Sequence, residues 1–193
     1  MADLYLSMIS AAGAFKTVVA ALREDDLAKR TPCDDYTVRA LVNHLLYWGP
    51  WLVAGGRKEP APAVEGGESD ADLTQSDWAT ALEKQTDELI DVFGTPGALD
   101  GMSKMGSAEM PASVIAGMVL AEFALHGWDL AVATGQKLTL DEDTASALYA
   151  AVDGMAEQAR AMGVFGPEVP VPASSSTLDR ALGLVGRDPA WRP

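Results

Sequence analysis

Apolar residues recur at three- and four-residue steps between Leu4 and Leu22 (Leu4, Met8, Ala11, Phe15, Val18, Val19, Leu22), the period of a helix with one buried face. Asp3 stands where its N-cap belongs. After a charged stretch, Thr31-Pro32 marks a boundary, because a proline ring fixes its own φ and restricts the residue before it. Thr37 then caps a second helix running to about Ala54, apolar along Val38, Leu41, Leu45, Trp48 and Leu52, with Gly55-Gly56 expected to end it. Ser76 opens a third helix, with Trp78, Leu82, Leu89 and Phe93 inward and Asp77, Glu83, Lys84 and Glu88 outward. Pro111 suits the first turn of a fourth, which runs to about Thr134 and is apolar nearly all round; such a helix is buried on most sides. Asp141 caps a fifth, with Ala145, Leu148, Val152, Met155, Ala159 and Met162 inward and Gly163 closing it. Ser175 or Ser176 starts a short last helix through Leu178, Leu182 and Val185.

The connections are informative too. Residues 57–75 are polar and lack a helical period, and long loops inside compact domains usually serve as crossovers or carry function. In a helical bundle such a length permits two consecutive helices that are not antiparallel neighbours. The stretch 94–110, with glycines at 94, 97, 101 and 106, reads as irregular, with a short hairpin as the less favoured alternative. The pattern predicts one all-α domain over residues 1–193, a helical bundle with added C-terminal helices.

Composition narrows the partners. There are 28 acidic residues against 14 basic ones, a formal charge of −14, and 48% of positions are hydrophobic, too many for a disordered chain. A field this negative repels phosphate backbones and anionic lipid, which argues against nucleic-acid and membrane partners. The lone Cys33 cannot form an internal disulfide, the N-terminus lacks a basic leader, and no apolar run is expected to reach transmembrane length. The expectation is a cytoplasmic protein. An exposed helix face would allow a homodimer, though nothing in the pattern requires one.

The chain has two histidines, His44 and His126, both placed mid-helix. On an ideal α-helix His44 lies about 40° from Trp48, and Glu122 lies about 40° from His126 with Asp129 within about 20° of Glu122. An ionised carboxylate in so apolar a helix costs several kcal/mol unless it is paired or metal-bound. Two imidazoles and a carboxylate from facing helices suit a catalytic divalent metal with open positions. Asp129 would then orient a ligand or act on bound water. Spacing alone leaves two readings open: a metal site, or a buried Glu122–His126 ion pair. No HExxH pair, G-x-S-x-G elbow, Walker A or G-x-G-x-x-G motif is present. Trp48 and Trp128 lie close enough in sequence to the histidines to wall a pocket.

The segment from Thr31-Pro-Cys through Tyr36-Thr-Val-Arg to His44 resembles the "TPC-x-x-W-T-V-R-x-L-x-x-H" stretch of the DinB-like, maleylpyruvate-isomerase N-terminal superfamily, with Tyr36 replacing the usual Trp at a packing position. Glu122-Phe-Ala-Leu-His126-Gly-Trp-Asp-Leu-Ala131 is similar to its second signature, and Leu184-Val-Gly-Arg-Asp-Pro-Ala-Trp191 to the tail of its actinobacterial-type metal-binding branch. The resemblance implies a DinB-type four-helix bundle with a long crossover between helices 2 and 3. It implies one divalent metal on His44, Glu122 and His126, usually zinc, with nickel, manganese and iron as alternatives. It also implies reactions of low-molecular-weight thiols of the mycothiol type: S-transfer to a small electrophile, or thiol-assisted isomerisation. The isomerases carry a further C-terminal domain for which a chain ending at Pro193 has no room, so transfer is the expected reaction. A metal-binding module without turnover and a thiol-independent zinc hydrolase are the alternatives.

Overall fold

The computed structural model describes residues 3–33, 36–63 and 66–193; Asp34 and Asp35 of the first signature lie outside them. It is mostly helical with one two-stranded sheet. The order is α1 (Leu4–Ala20), α2 (Val38–Arg57), α3 (Trp78–Phe93), β1 (Met102–Met105), β2 (Ala108–Pro111), α4 (Ala112–Ala121), a π-helical turn (Glu122–His126), α5 (Gly127–Ala133), α6 (Glu142–Ala161) and α7 (Thr177–Leu184). Short 3₁₀ turns stand at Glu24–Asp26 and Glu68–Asp70.

Side-chain caps start the helices where local chemistry allows. Asp3, Thr37, Asp141 and Ser176 each accept from backbone N–H groups of the first turn. At α3 the cap is Asp77, which accepts from Thr80 N, rather than Ser76: two good capping residues stand side by side, and the chain uses the second. Gly55-Gly56 does not end α2. The helix continues to Arg57 and stops at Lys58, in the left-handed region at φ 59°. The two glycines serve packing: a Cβ on Gly56 would stand 2.5 Å from Val92 Cγ1, and one on Gly55 would stand 3.2 Å from Ile115.

The stretch expected to be irregular contains the hairpin. β1 and β2 pair antiparallel, with Met105 opposite Ala108 across the two-residue turn Gly106-Ser107. Gly106 has φ 62°, as the first position of a II′-type hairpin turn requires. Met162, which the helical period places inward, is 69% exposed, because it is the C-cap residue beyond the last packed turn of α6.

The centre of the molecule is the continuous rod Ala112–Ala133, formed by α4, the π turn and α5. By length and composition it could cross a membrane, contrary to the sequence expectation, and 78% of its apolar window is buried inside the protein. It packs against α1, α2 and α6, while α3 closes on α1 and α2, and α7 on α6. Met8, Phe15, Leu41, Ile115, Leu120, Leu130 and Leu148 fill the interior between them. Burying one such side chain stabilises the fold by about 1.5–3 kcal/mol before conformational entropy is counted.

Candidate metal centre

His44 sits on the second turn of α2, where that helix crosses the central rod, and Glu122 and His126 bracket the rod's π turn. A π turn hydrogen-bonds i to i+5 and is therefore wider than an α turn, so residues four apart stand more nearly above one another than the ideal α-helix gives. Glu122 Oε2 lies 3.7 Å from His44 Nε2 and 3.7 Å from His126 Nε2. The three ligand atoms all fall within 4.8 Å of one another, and the two imidazole rings meet edge to face with centroids 5.2 Å apart.

Each histidine is held at its other nitrogen. His44 Nδ1 lies 3.2 Å from Glu68 Oε2 and 3.1 Å from the Tyr36 hydroxyl. Glu68 in turn accepts from Trp48 Nε1 at 2.8 Å. His126 Nδ1 lies 3.0 Å from Asp129 Oδ2, and Asp129 takes a forked pair of bonds from Arg187. Carboxylates behind ligand histidines fix ring orientation and tautomer, leaving the forward nitrogen as the donor atom.

Charge follows this layout. Burial acts to lower the pKa of His44, but the nearby carboxylate of Glu122, and then that of Glu68, outweigh it and hold the group above its ordinary value. Burial acts to raise Glu122, and the charges of His126 and then His44 keep it below the usual carboxylate range. Asp129 is likewise opposed by burial and held down by Arg187 and His126. Glu122 Oε2 itself is buried and has no hydrogen-bond partner among the described residues. An anionic oxygen left so is costly in the absence of a cation.

The donor set suits a first-row divalent ion. With ligand bonds of about 2.0–2.2 Å, two donors sharing a tetrahedral ion stand about 3.4 Å apart, so the 3.7 Å spacings need only a few tenths of an ångström of contraction.

The structure brings together His44, Glu122 and His126 and places Asp129 behind His126, fully buried, where it touches Nδ1 rather than the forward nitrogen. Trp48 lies on the His44 face of α2 and reaches the centre through Glu68. Trp128 does not: two residues along a helix turn it about 200° from His126, and it lies in the core, 7% exposed. Behind His44, on its Nδ1 side, an open groove of about 600 Å³ is lined by Tyr36, Arg39, Asn43, Glu68 and Asp72 among others, with none of the three ligand residues and neither tryptophan in its wall.

Sequence reasoning misses Glu68 and Arg187 and gives Tyr36 only a packing role. Glu68 sends no signal from within its run of acids; Arg187 stands in the tail motif without an assigned partner.

Residues 10–131 match the family model described as mycothiol maleylpyruvate isomerase N-terminal domain. An uncharacterized protein of Mycobacterium tuberculosis, in strains CDC 1551 / Oshkosh and ATCC 25618 / H37Rv, is 28% identical over 176 residues, covering 90% of this chain and 92% of that protein. Among solved structures, the crystal structure of the mycothiol-dependent maleylpyruvate isomerase superposes with a TM-score of 0.66 at 14% identity, covering 95% of this chain and 88% of that one, a likeness of fold. With a family match spanning more than half of its length, the protein belongs to the mycothiol maleylpyruvate isomerase N-terminal-domain family.

Proposed function

We propose that the protein binds one divalent metal ion, zinc first among the candidates, through His44 Nε2, Glu122 Oε2 and His126 Nε2, and uses it in the chemistry of a mycothiol-type thiol. The long helices act as a DinB-type four-helix bundle that carries the centre. The observation that supports this most strongly is the buried Glu122 Oε2, without a hydrogen-bond partner among the described residues and 3.7 Å from each of two imidazoles whose other nitrogens are both held by carboxylates.

When bound, such an ion holds a thiol as thiolate at neutral pH and leaves its sulfur nucleophilic. The protein's own groups do the rest. Glu68 and Asp129 keep the two imidazoles turned forward. Tyr36, Arg39 and Asn43, on the groove behind His44, offer polar contacts to the far part of a hydrophilic thiol. The reaction class is transfer of the thiol sulfur to a small electrophile: an S–C bond forms, and the displaced electron pair leaves with the leaving group or takes up a proton. A thiol-dependent isomerisation, the activity in the structural relative's name, is the second reading.

Elemental analysis of untagged protein tests the ligand set. One divalent ion per chain is expected, and His126→Ala should lose it while remaining helical by circular dichroism. A His126→Ala protein with full metal content contradicts the assignment. Incubating the metal-loaded protein with a mycothiol-type thiol and a panel of electrophiles then tests the chemistry: thioether formation that stops on chelation supports transfer. Turnover in thiol-free buffer indicates hydrolysis, and binding without product indicates a carrier or sensor.

A further inference from the structure

The tail motif Leu184–Trp191 lies outside the family-matched residues 10–131, yet its Arg187 reaches the carboxylate behind His126. α7 stops at Leu184, and the chain then turns sharply: Arg187 N donates to Leu182 O at 2.9 Å. Gly186 makes this turn possible. Its φ is 89°, and a Cβ there would stand 2.7 Å from Gly166 Cα and 3.0 Å from Pro167 O. The turn sends the Arg187 side chain inward, leaving it 7% exposed. Further on, Asp188 Oδ1 accepts from Ala190 N at 2.8 Å, Trp191 N donates to Asp188 O at 2.9 Å, and the Trp191 ring packs on the core.

Inside, Arg187 meets a buried carboxylate. Asp129 is fully buried on α5, 58 residues earlier in the chain. The guanidinium grips it as a fork, Nε 2.9 Å from Oδ1 and Nη2 2.8 Å from Oδ2. The same Oδ2 lies 3.0 Å from His126 Nδ1, and Nη2 lies 3.4 Å from that nitrogen. Guanidinium nitrogens only donate. The Asp129 carboxylate only accepts, so at 3.0 Å its Oδ2 takes the hydrogen of Nδ1 beside that of Nη2, and the lone pair of His126 is left at Nε2, on the Glu122 side. A planar fork fixes both oxygens of a carboxylate at once, which a single ammonium does not.

We propose that the C-terminal segment is a latch that completes the metal centre from outside the family-matched residues 10–131, with Arg187 as a positioning residue that sets His126 through Asp129. The inference rests on the ligand reading above and adds to it a residue some 60 positions from the nearest ligand in sequence. Arg187 touches neither the metal position nor substrate. It holds the group that holds the ligand.

The test is zinc affinity, by competition with a chromophoric chelator, for wild type, Arg187→Met, Arg187→Lys, Asp129→Asn and the Arg187→Met/Asp129→Asn double variant. Loss of a partner behind a ligand histidine weakens metal binding roughly 10- to 100-fold, and Arg187→Met is expected in that range. Arg187→Lys, which keeps charge without the fork, falls between it and wild type. The double variant binds no more weakly than Asp129→Asn alone, because the two residues act through one route. Wild-type affinity in folded Arg187→Met, or losses that multiply in the double variant, overturns the proposal. If Arg187→Met does not fold, Arg187→Lys carries the test, with unchanged far-ultraviolet circular dichroism as the control. If the wild-type chain takes up no zinc, the ligand reading fails separately. The latch is then judged by the ¹H–¹⁵N signature of the His126 ring in metal-free protein: a single Nδ1–H tautomer in wild type and a mixture in Arg187→Met support it, and identical spectra overturn it.

Discussion

Replacing Gly56 by alanine sets two effects against each other at one helical position. Alanine is favoured over glycine inside a helix by about 0.8–1.0 kcal/mol, so propensity alone predicts a more stable protein. Packing predicts the reverse. The new methyl would lie 2.5 Å from Val92 Cγ1 and 2.9 Å from Phe93 Cε2, where ordinary contact begins near 3.4 Å. Val92 and Phe93 are 6% and 2% exposed, so neither can swing into solvent, and α2 must move away from α3. Overpacking of this kind costs about 1–3 kcal/mol. With two neighbours obstructed, the upper half of that range applies, leaving a net loss of about 1–2 kcal/mol, or roughly 2–8 °C in Tm for a chain of this size. Gly13→Ala is the control. Gly13 is exposed on α1, and a Cβ added there would meet no atom within 4 Å, so the same chemical change should raise stability by about 0.5–1 kcal/mol. Urea and thermal unfolding in chelating buffer measure both. A Gly56→Ala protein as stable as Gly13→Ala would refute the packing role and return Gly55-Gly56 to a helix-ending role.

Asp141→Ala removes the N-cap of α6 and the bond from Ser10 on α1, and should cost about 1 kcal/mol at neutral pH. Hydrogen bonds from Thr144 N–H, then from the Ser10 and Thr144 hydroxyls, hold the Asp141 carboxyl below its usual value. Its contribution is therefore present above about pH 4 and fades as pH falls through the lowered pKa, so the gap between wild type and variant narrows in acid. Urea melts at pH 7 and pH 3 check this, and an undiminished gap at pH 3 contradicts it. Glu68→Gln keeps the size of the side chain but removes the anion behind His44. Zinc affinity should fall roughly tenfold, with a changed Trp48 emission as its Nε1–H partner weakens. Affinity equal to wild type would show that Tyr36 alone orients the ring.

What can be read from the sequence is what local chemistry fixes. The apolar circumference of residues 112–133 announces the central rod, and Asp3, Thr37, Asp141 and Ser176 announce their helices because an N-cap acts within one turn. Glu122 and His126 share a face on either helical geometry, although the π turn that aligns them leaves no mark in the residue pattern. Gly55-Gly56 misleads because glycine serves both to end helices and to admit neighbours, and only the partner helix decides between the two. The hairpin is hidden by its brevity: two four-residue strands carry almost no alternation. Glu68 and Arg187 are beyond reach for a different reason. They meet their histidines across 24 and 61 residues, and no periodicity encodes such distances.

The central claim is that His44, Glu122 and His126 grip one cation, and anomalous diffraction at the zinc edge from crystals grown with zinc tests it most directly. A single strong peak is expected inside the protein about 2.0–2.2 Å from His44 Nε2, His126 Nε2 and a Glu122 oxygen, with at least one coordination position left to solvent or thiol. A structure with no peak there, and Glu122 closed onto the two imidazoles as a plain ion pair, would contradict it.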